Sequence, residues 1–228
     1  MSFLPYGPWL SLAALVAVYF CIDRVYPRGL ARFEENAVAV LLGIITLVAF
    51  TQVIARYGFN SGWSGALEFQ RILFAWMILF GMSYGVRANI HLGVDAFIRL
   101  LPRPLFRITA VLGALACIVY AAILLESSWL QLFGAKTSGG AVKYWSTVYR
   151  TGSGLDEMKW PQFVVDLFGA KERVQRWVAY LMLPVGLALL IFRSLQALVQ
   201  IVRGDRELMI AGHEAEELVA ENRGVLEE

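Results

Sequence analysis

QVIARYGFNSGWSGALEFQRILFAWMILFGMSYGVRANIHLGVDAFIRLLP, residues 52–102, decides the fold class. An apolar run closes on Gln52, Arg56 and Tyr57. Seven residues follow, mostly glycine, serine and asparagine, and a second apolar run opens at Gly65 with Glu68 and Arg71 near its start. That run continues through Trp76 to Val86, and Arg87, His91, Asp95 and Arg99 follow it before Pro102. Charges gathered at or near the ends of runs of membrane-spanning length read as helix ends at a bilayer surface, because a side-chain charge in hydrocarbon is costly.

The whole chain agrees. Of its 228 residues 58% are hydrophobic and 17% charged, with mean hydropathy +0.60. A soluble domain carries about 25% charged residues, and here the deficit falls in blocks. Runs of about 20 apolar residues are needed for a helical crossing. Four are present, at about 36–57, 65–86, 106–133 and 176–202. Continuous runs, not alternating ones, select helices over a barrel. The sequence thus predicts an all-α integral membrane protein. A net charge of +2 gives no sign of nucleic-acid binding.

A fifth run, Trp9–Ile22, is shorter. It reads equally as a crossing, as an interfacial helix, or as a helix packed beside another subunit. Without a basic n-region or an A-x-A-like site, it does not read as a cleaved signal. Residues 1–32 form an N-terminal hydrophobic helix and basic segment, 33–203 the four-span domain, and 204–228 an acidic tail.

Arginines set the expected orientation. Arg24, Arg28 and Arg32 precede the first span, Arg87, Arg99, Arg103 and Arg107 separate the second and third, and Arg203 and Arg206 follow the fourth. The C-terminus is therefore expected in the cytoplasm. The connection 134–172 is expected outside, although it holds all four lysines; longer loops follow the charge rule less strictly. Its Tyr144, Trp145, Tyr149, Trp160 and Phe163 read as interfacial anchors or a docking surface. Residues 87–101, with Ile90, Val94, Phe97 and Ile98 near helical spacing, predict an amphipathic interfacial helix stopped by Pro102.

The polar residues at the span ends have plain readings. Arg56 reaches headgroups by snorkelling or pairs with Glu68 across the short connection. Glu68 and Arg71, three apart, pair within one helix or bridge to Arg56. These three are expected to clamp the first two spans, with Gln52 and Tyr57 beside them. Trp76 is expected on a lipid or partner face. His91 and Asp95 lack the further ligands that a metal would need, and no span offers the histidine pair that would hold haem. No cofactor is expected in this chain.

Gln52-x3-Arg56-Tyr57-x-Phe59, Glu68-x2-Arg71-x2-Phe74-x-Trp76, Gly81-x2-Tyr84-Gly85-x-Arg87, His91-x3-Asp95 and Leu101-Pro102 stand in an order that resembles the DctQ family, the small membrane subunits of TRAP transporters. Tyr180-x3-Pro184-x-Gly186-x6-Arg193 is similar to that family's last helix, so the resemblance covers about 33–203. It implies a non-enzymatic scaffold in a bacterial inner membrane. Its partners would be a large elevator-type subunit, which holds sodium and substrate, a periplasmic substrate-binding protein, and membrane lipids. Leu155–Pro161 is similar to the stretch before the last helix in dicarboxylate-type members, which implies an organic acid of the C4-dicarboxylate kind. The alternative reading is a membrane anchor for a redox complex.

Overall fold

The computed structural model describes residues 7–88, 102–160, 162–169 and 171–204. The expected interfacial helix over 87–101, apart from its first two residues, and all but the first residue of the acidic tail lie outside these.

Helices dominate. In chain order they are α1 (Gly7–Val25), α2 (Pro27–Gly58), α3 (Ala66–Ala88), α4 (Arg103–Leu125), a 3-10 turn (Ser128–Phe133), α5 (Ala141–Thr151), α6 (Gln162–Phe168), α7 (Arg176–Tyr180) and α8 (Met182–Arg203). Two short strands, β1 (Gly154–Lys159) and β2 (Arg173–Gln175), pair antiparallel around α6. Among the described residues, four helical segments are long and apolar enough by length and composition to cross a membrane: α2, α3, α4 and α7–α8 together. The protein is an all-α membrane protein with a small structured element at one end.

Helix α2 starts nine residues before the span read from the sequence. Pro27 suits a first helical turn, where its missing N–H costs nothing. The basic segment with Arg28 and Arg32 is therefore the opening of a 32-residue helix. Its inward stripe is Leu30, Glu34, Leu41 and Ile45, one seam at helical spacing. Helix α4 ends at Leu125, so the expected third span, 106–133, gives way to the 3-10 turn before Phe133. The last span is interrupted at Leu181. Pro184 has no N–H for the Tyr180 carbonyl, which breaks the ladder one turn earlier.

Helix α8 is the hub. Every residue from Gly186 to Ser194 is buried. Helices α3 and α4 pack along it, α1 lies against it from another side, and α2 packs on α3 and α1. The α4 seam is made of small residues, Ala110, Ala114 and Ala121, closed by Leu125, and small side chains let helix backbones approach closely. Ser194 Oγ donates to Cys117 Sγ at 3.3 Å across this seam. At the α3 contact a Cβ on Gly186 would stand 2.7 Å from Leu79 Cβ, so only glycine fits without a shift.

Two ends of the bundle can be distinguished. The basic end holds the starts of α2 and α4 and the ends of α3 and α8. Arg107 there caps α8, donating to the carbonyls of Val202 at 2.6 Å and Ile201 at 3.4 Å. The loop end holds the α2–α3 connection and the α5–β2 element.

Candidate interface and its polar anchors

Glu34 at the basic end is fully buried, and its carboxylate joins three helices. Oε1 accepts from Arg193 Nε of α8 at 2.8 Å. Oε2 lies 3.1 Å from Arg87 Nε of α3, a charge contact whose N–H is not aligned on the oxygen. Arg87 also donates to the Ala31 carbonyl at 3.0 Å and sits over the Tyr84 ring. Arg193, 5% exposed, extends the cluster to α1. Its Nη1 donates to Gln196 Oε1 at 2.7 Å and reaches Asp23 Oδ1 at 3.4 Å, while Gln196 Nε2 donates to Asp23 Oδ2 at 2.8 Å. Two carboxylates face two guanidiniums, so the buried site is neutral overall. Removing one member would strand the others, which is the expensive case for buried charge.

Glu68 anchors the loop end differently. Its carboxylate accepts the backbone N–H groups of Glu157 and Met158, both at 2.9 Å, and lies 3.4 Å from that of Asp156. These N–H groups belong to the irregular stretch of β1 between its paired positions Gly154 and Lys159. Leu155 and Val174 form a small apolar core with Ala179, against Ile72 of α3. Arg176 grips the same strand, donating to the Gly154 carbonyl and in a fork to both Asp156 oxygens at 3.1 Å.

The expected clamp of Arg56, Glu68 and Arg71 is therefore corrected. Glu68 is committed to β1, and neither arginine is within ion-pair distance of it. Arg71 is exposed on the outward side of α3. Arg56 lines an open cleft of about 520 Å³ between the ends of α2 and α3, with Gln52, Asn60, Ser64 and Glu157 among its neighbours. Tyr57 is exposed. Gln52 closes the α2–α3 connection by itself: its Nε2 donates to the Trp63 carbonyl at 3.0 Å and its Oε1 accepts from Trp63 N–H at 3.2 Å.

Trp76 also differs from its expected outward placement. Its Nε1 donates to the Ala179 carbonyl at 2.8 Å, at the break before α8. The loop aromatics pack mainly on one another. Trp145 stacks on Tyr149, both meet Trp177 edge-on, and Trp145 Nε1 donates to the Trp177 carbonyl. Tyr144 meets Tyr180, Trp160 joins the small apolar core, and Phe163 is exposed. Arg87 stands in the buried cluster, whereas His91, Asp95 and Arg99 lie outside the described residues. The sequence gives no sign of a role for Glu34 or of the pairing of Asp23 with Arg193.

A family model for the DctQ component of the tripartite ATP-independent periplasmic transporters matches residues 45–204. The chain belongs to the DctQ family. A Vibrio cholerae protein named C4-dicarboxylate TRAP transporter small permease protein DctQ is 38% identical over 192 residues, 81% of this chain and 77% of that protein. A Pseudomonas aeruginosa protein of the same name is 31% identical over 205 residues, 77% of this chain and 85% of its own length. A third, from Rhodobacter capsulatus, is 27% identical over 201 residues. This DctQ chain is thus a TRAP small permease subunit, a member of a non-enzymatic family, which displaces the redox-anchor reading. The matched residues contain the Glu68 anchor, Arg87 and Arg193, while Glu34 and α1 precede them.

Proposed function

We propose that this subunit is the fixed scaffold of its transporter. It holds the static part of a large elevator-type permease in a bacterial inner membrane. A periplasmic binding protein delivers an organic acid, and an ion gradient drives uptake. The basic end and the C-terminus face the cytoplasm, in keeping with the arginine distribution. The α5–β2 element then faces the periplasm. Sodium and substrate bind in the large subunit. A four-carbon dicarboxylate is the substrate class, supported by the names of the three relatives.

One observation carries the scaffold role. Helices α2 and α4 leave apolar side chains uncovered along their outer sides, among them Leu47 and Phe50 on one and Leu112 and Val119 on the other. The interior between them is closed around α8, with its charges paired. Such a body offers greasy flanks to lipid and to a partner subunit, and among its described residues no polar path through itself.

The test is reconstitution of labelled succinate uptake in proteoliposomes under a sodium gradient, with binding protein outside. Uptake is expected only when both membrane subunits are present. Uptake by this chain alone, or by the large subunit without it at an unchanged rate, would overturn the scaffold reading.

A further inference from the structure

We infer that α1 crosses the membrane as a fifth span, running parallel to α8, so that the two ends of the chain emerge on opposite sides. The inference rests on contacts within this chain and does not depend on the proposed transport role. Helix α1 also precedes residues 45–204, so family membership does not supply it.

Direction comes first. Asp23 meets Arg193 and Gln196 of α8. One turn earlier, Tyr19 and Phe20 pack their rings on Phe192. The Tyr19 hydroxyl donates to the Val185 carbonyl at 3.0 Å. Moving toward the start of α1 therefore moves toward the start of α8. Beyond that, α1 meets the 3-10 turn Ser128–Phe133, which follows α4 at the loop end.

Depth follows. Val185 to Gln196 spans about 16 Å of helix axis at 1.5 Å per residue. An interfacial helix would lie across α8 and touch it at one level only. Helix α1 has 19 residues, about 28 Å, against a hydrocarbon core of about 30 Å. Its run from Trp9 to Ile22 contains no Asp, Glu, Lys, Arg or His.

Energetics requires a helix there. Phe192 is fully buried and Arg193 nearly so, yet α3 and α4 flank only part of α8. Tyr19, Phe20 and Asp23 cover that part of its surface. Without them the Arg193 guanidinium would face lipid and lose one of its two carboxylates. Val16, Tyr19 and Asp23 lie on one α1 face, and that face is occupied by this chain's own helices. That face of α1 is therefore spent within this chain, while Leu10, Val18 and Val25 stay exposed on its other side. It also roofs a small apolar gap of about 150 Å³ bounded by Phe33, Trp76, Phe80 and Leu189.

The test places an epitope tag at the N-terminus of the full chain, or at its C-terminus, and digests spheroplasts and lysed cells with protease. Near-complete loss of the N-terminal tag in intact spheroplasts is expected, with the C-terminal tag lost only after lysis. Because a tag can disturb insertion, a second measurement uses Ser2→Cys in a chain carrying Cys21→Ala and Cys117→Ala. A membrane-impermeant maleimide should label it without lysis. Both ends reacting on the same side would overturn the fifth span. Ends on opposite sides but exchanged would uphold it, while overturning the cytoplasmic placement of the C-terminus.

Discussion

Helix α3 is tied at both ends by a carboxylate–donor contact, and the two ties differ in kind. At its last turn Arg87 enters a buried cluster with Glu34, Arg193 and Asp23. At its first turn Glu68, half-buried, accepts from the backbone of β1. The first tie is charge against charge in a low dielectric, where every member depends on the others. The second is a carboxylate against peptide N–H groups that water can partly replace. One end of the bundle is therefore built to tolerate no loss. The other fastens an external element whose release leaves the bundle standing.

Substitutions can break that contrast. Glu34→Ala leaves Arg87 and Arg193 facing each other without their shared carboxylate. It should destabilise the subunit by about 3–5 kcal/mol, read as a large fall in unfolding temperature or in folded yield from detergent. Glu34→Leu with Arg193→Met should recover part of that loss, because a paired removal leaves fewer orphans. A single Glu34→Ala with wild-type behaviour would show that the cluster is hydrated and not a buried lock. Gly186→Ala probes the apolar counterpart, since the new Cβ meets Leu79 at 2.7 Å. A cost of about 1–3 kcal/mol is expected from overpacking, and Leu79→Ala in the same chain should relieve it.

Glu68→Ala should cost less, about 1–2 kcal/mol, because its N–H partners can find water. Its signature is spatial: faster hydrogen exchange at Asp156–Met158, with exchange in α8 unchanged. Equal loosening of both regions would mean that the outer element and the bundle unfold as one unit.

The two ties were not equally legible in the sequence, for physical reasons. The four spans stand out because lipid excludes charge over a whole run. The seam Leu30, Glu34, Leu41, Ile45 was also there to be read at helical spacing, but starting the first span at 36 left Glu34 outside it. A helix that starts at Pro27 carries its charged face into the bundle, and polarity alone does not tell a solvated turn from a buried one. Asp23 was hidden because a 14-residue apolar run is too short to decide a crossing without knowing what covers it. Arg56, Glu68 and Arg71 look paired by spacing, yet Glu68 binds backbone 88–90 residues away. Peptide N–H groups leave no residue-type signature. The loop aromatics are ambiguous for a related reason: an anchor at an interface and a ring packed on another ring have the same composition. Deleting Ala135–Tyr149 would therefore also remove the Trp145–Tyr149 stack under Trp177.

The exposed pair at the loop end marks the lower limit of the comparison. Lys159 Nζ lies 2.6 Å from Glu172 Oε1, next to the β1–β2 ladder, with both side chains mostly in water. The hydrogen bond and charge of Lys159 hold the Glu172 carboxyl below its ordinary value of 4.5. A carboxyl whose folded value is depressed lends stability above the unfolded value and loses it as pH falls through the folded one. The support should thus be present at neutral pH and vanish in acid. Exposed pairs contribute little because water screens them and both side chains lose freedom. Glu172→Gln should therefore shift the unfolding temperature only slightly at neutral pH, and the difference from the parent should close below pH 4.5 and shrink in high salt. A large shift that persists in acid would mean that Glu172 supports the hairpin through something other than its charge, and the contrast between a locked basic end and a lightly fastened loop end would have to be redrawn.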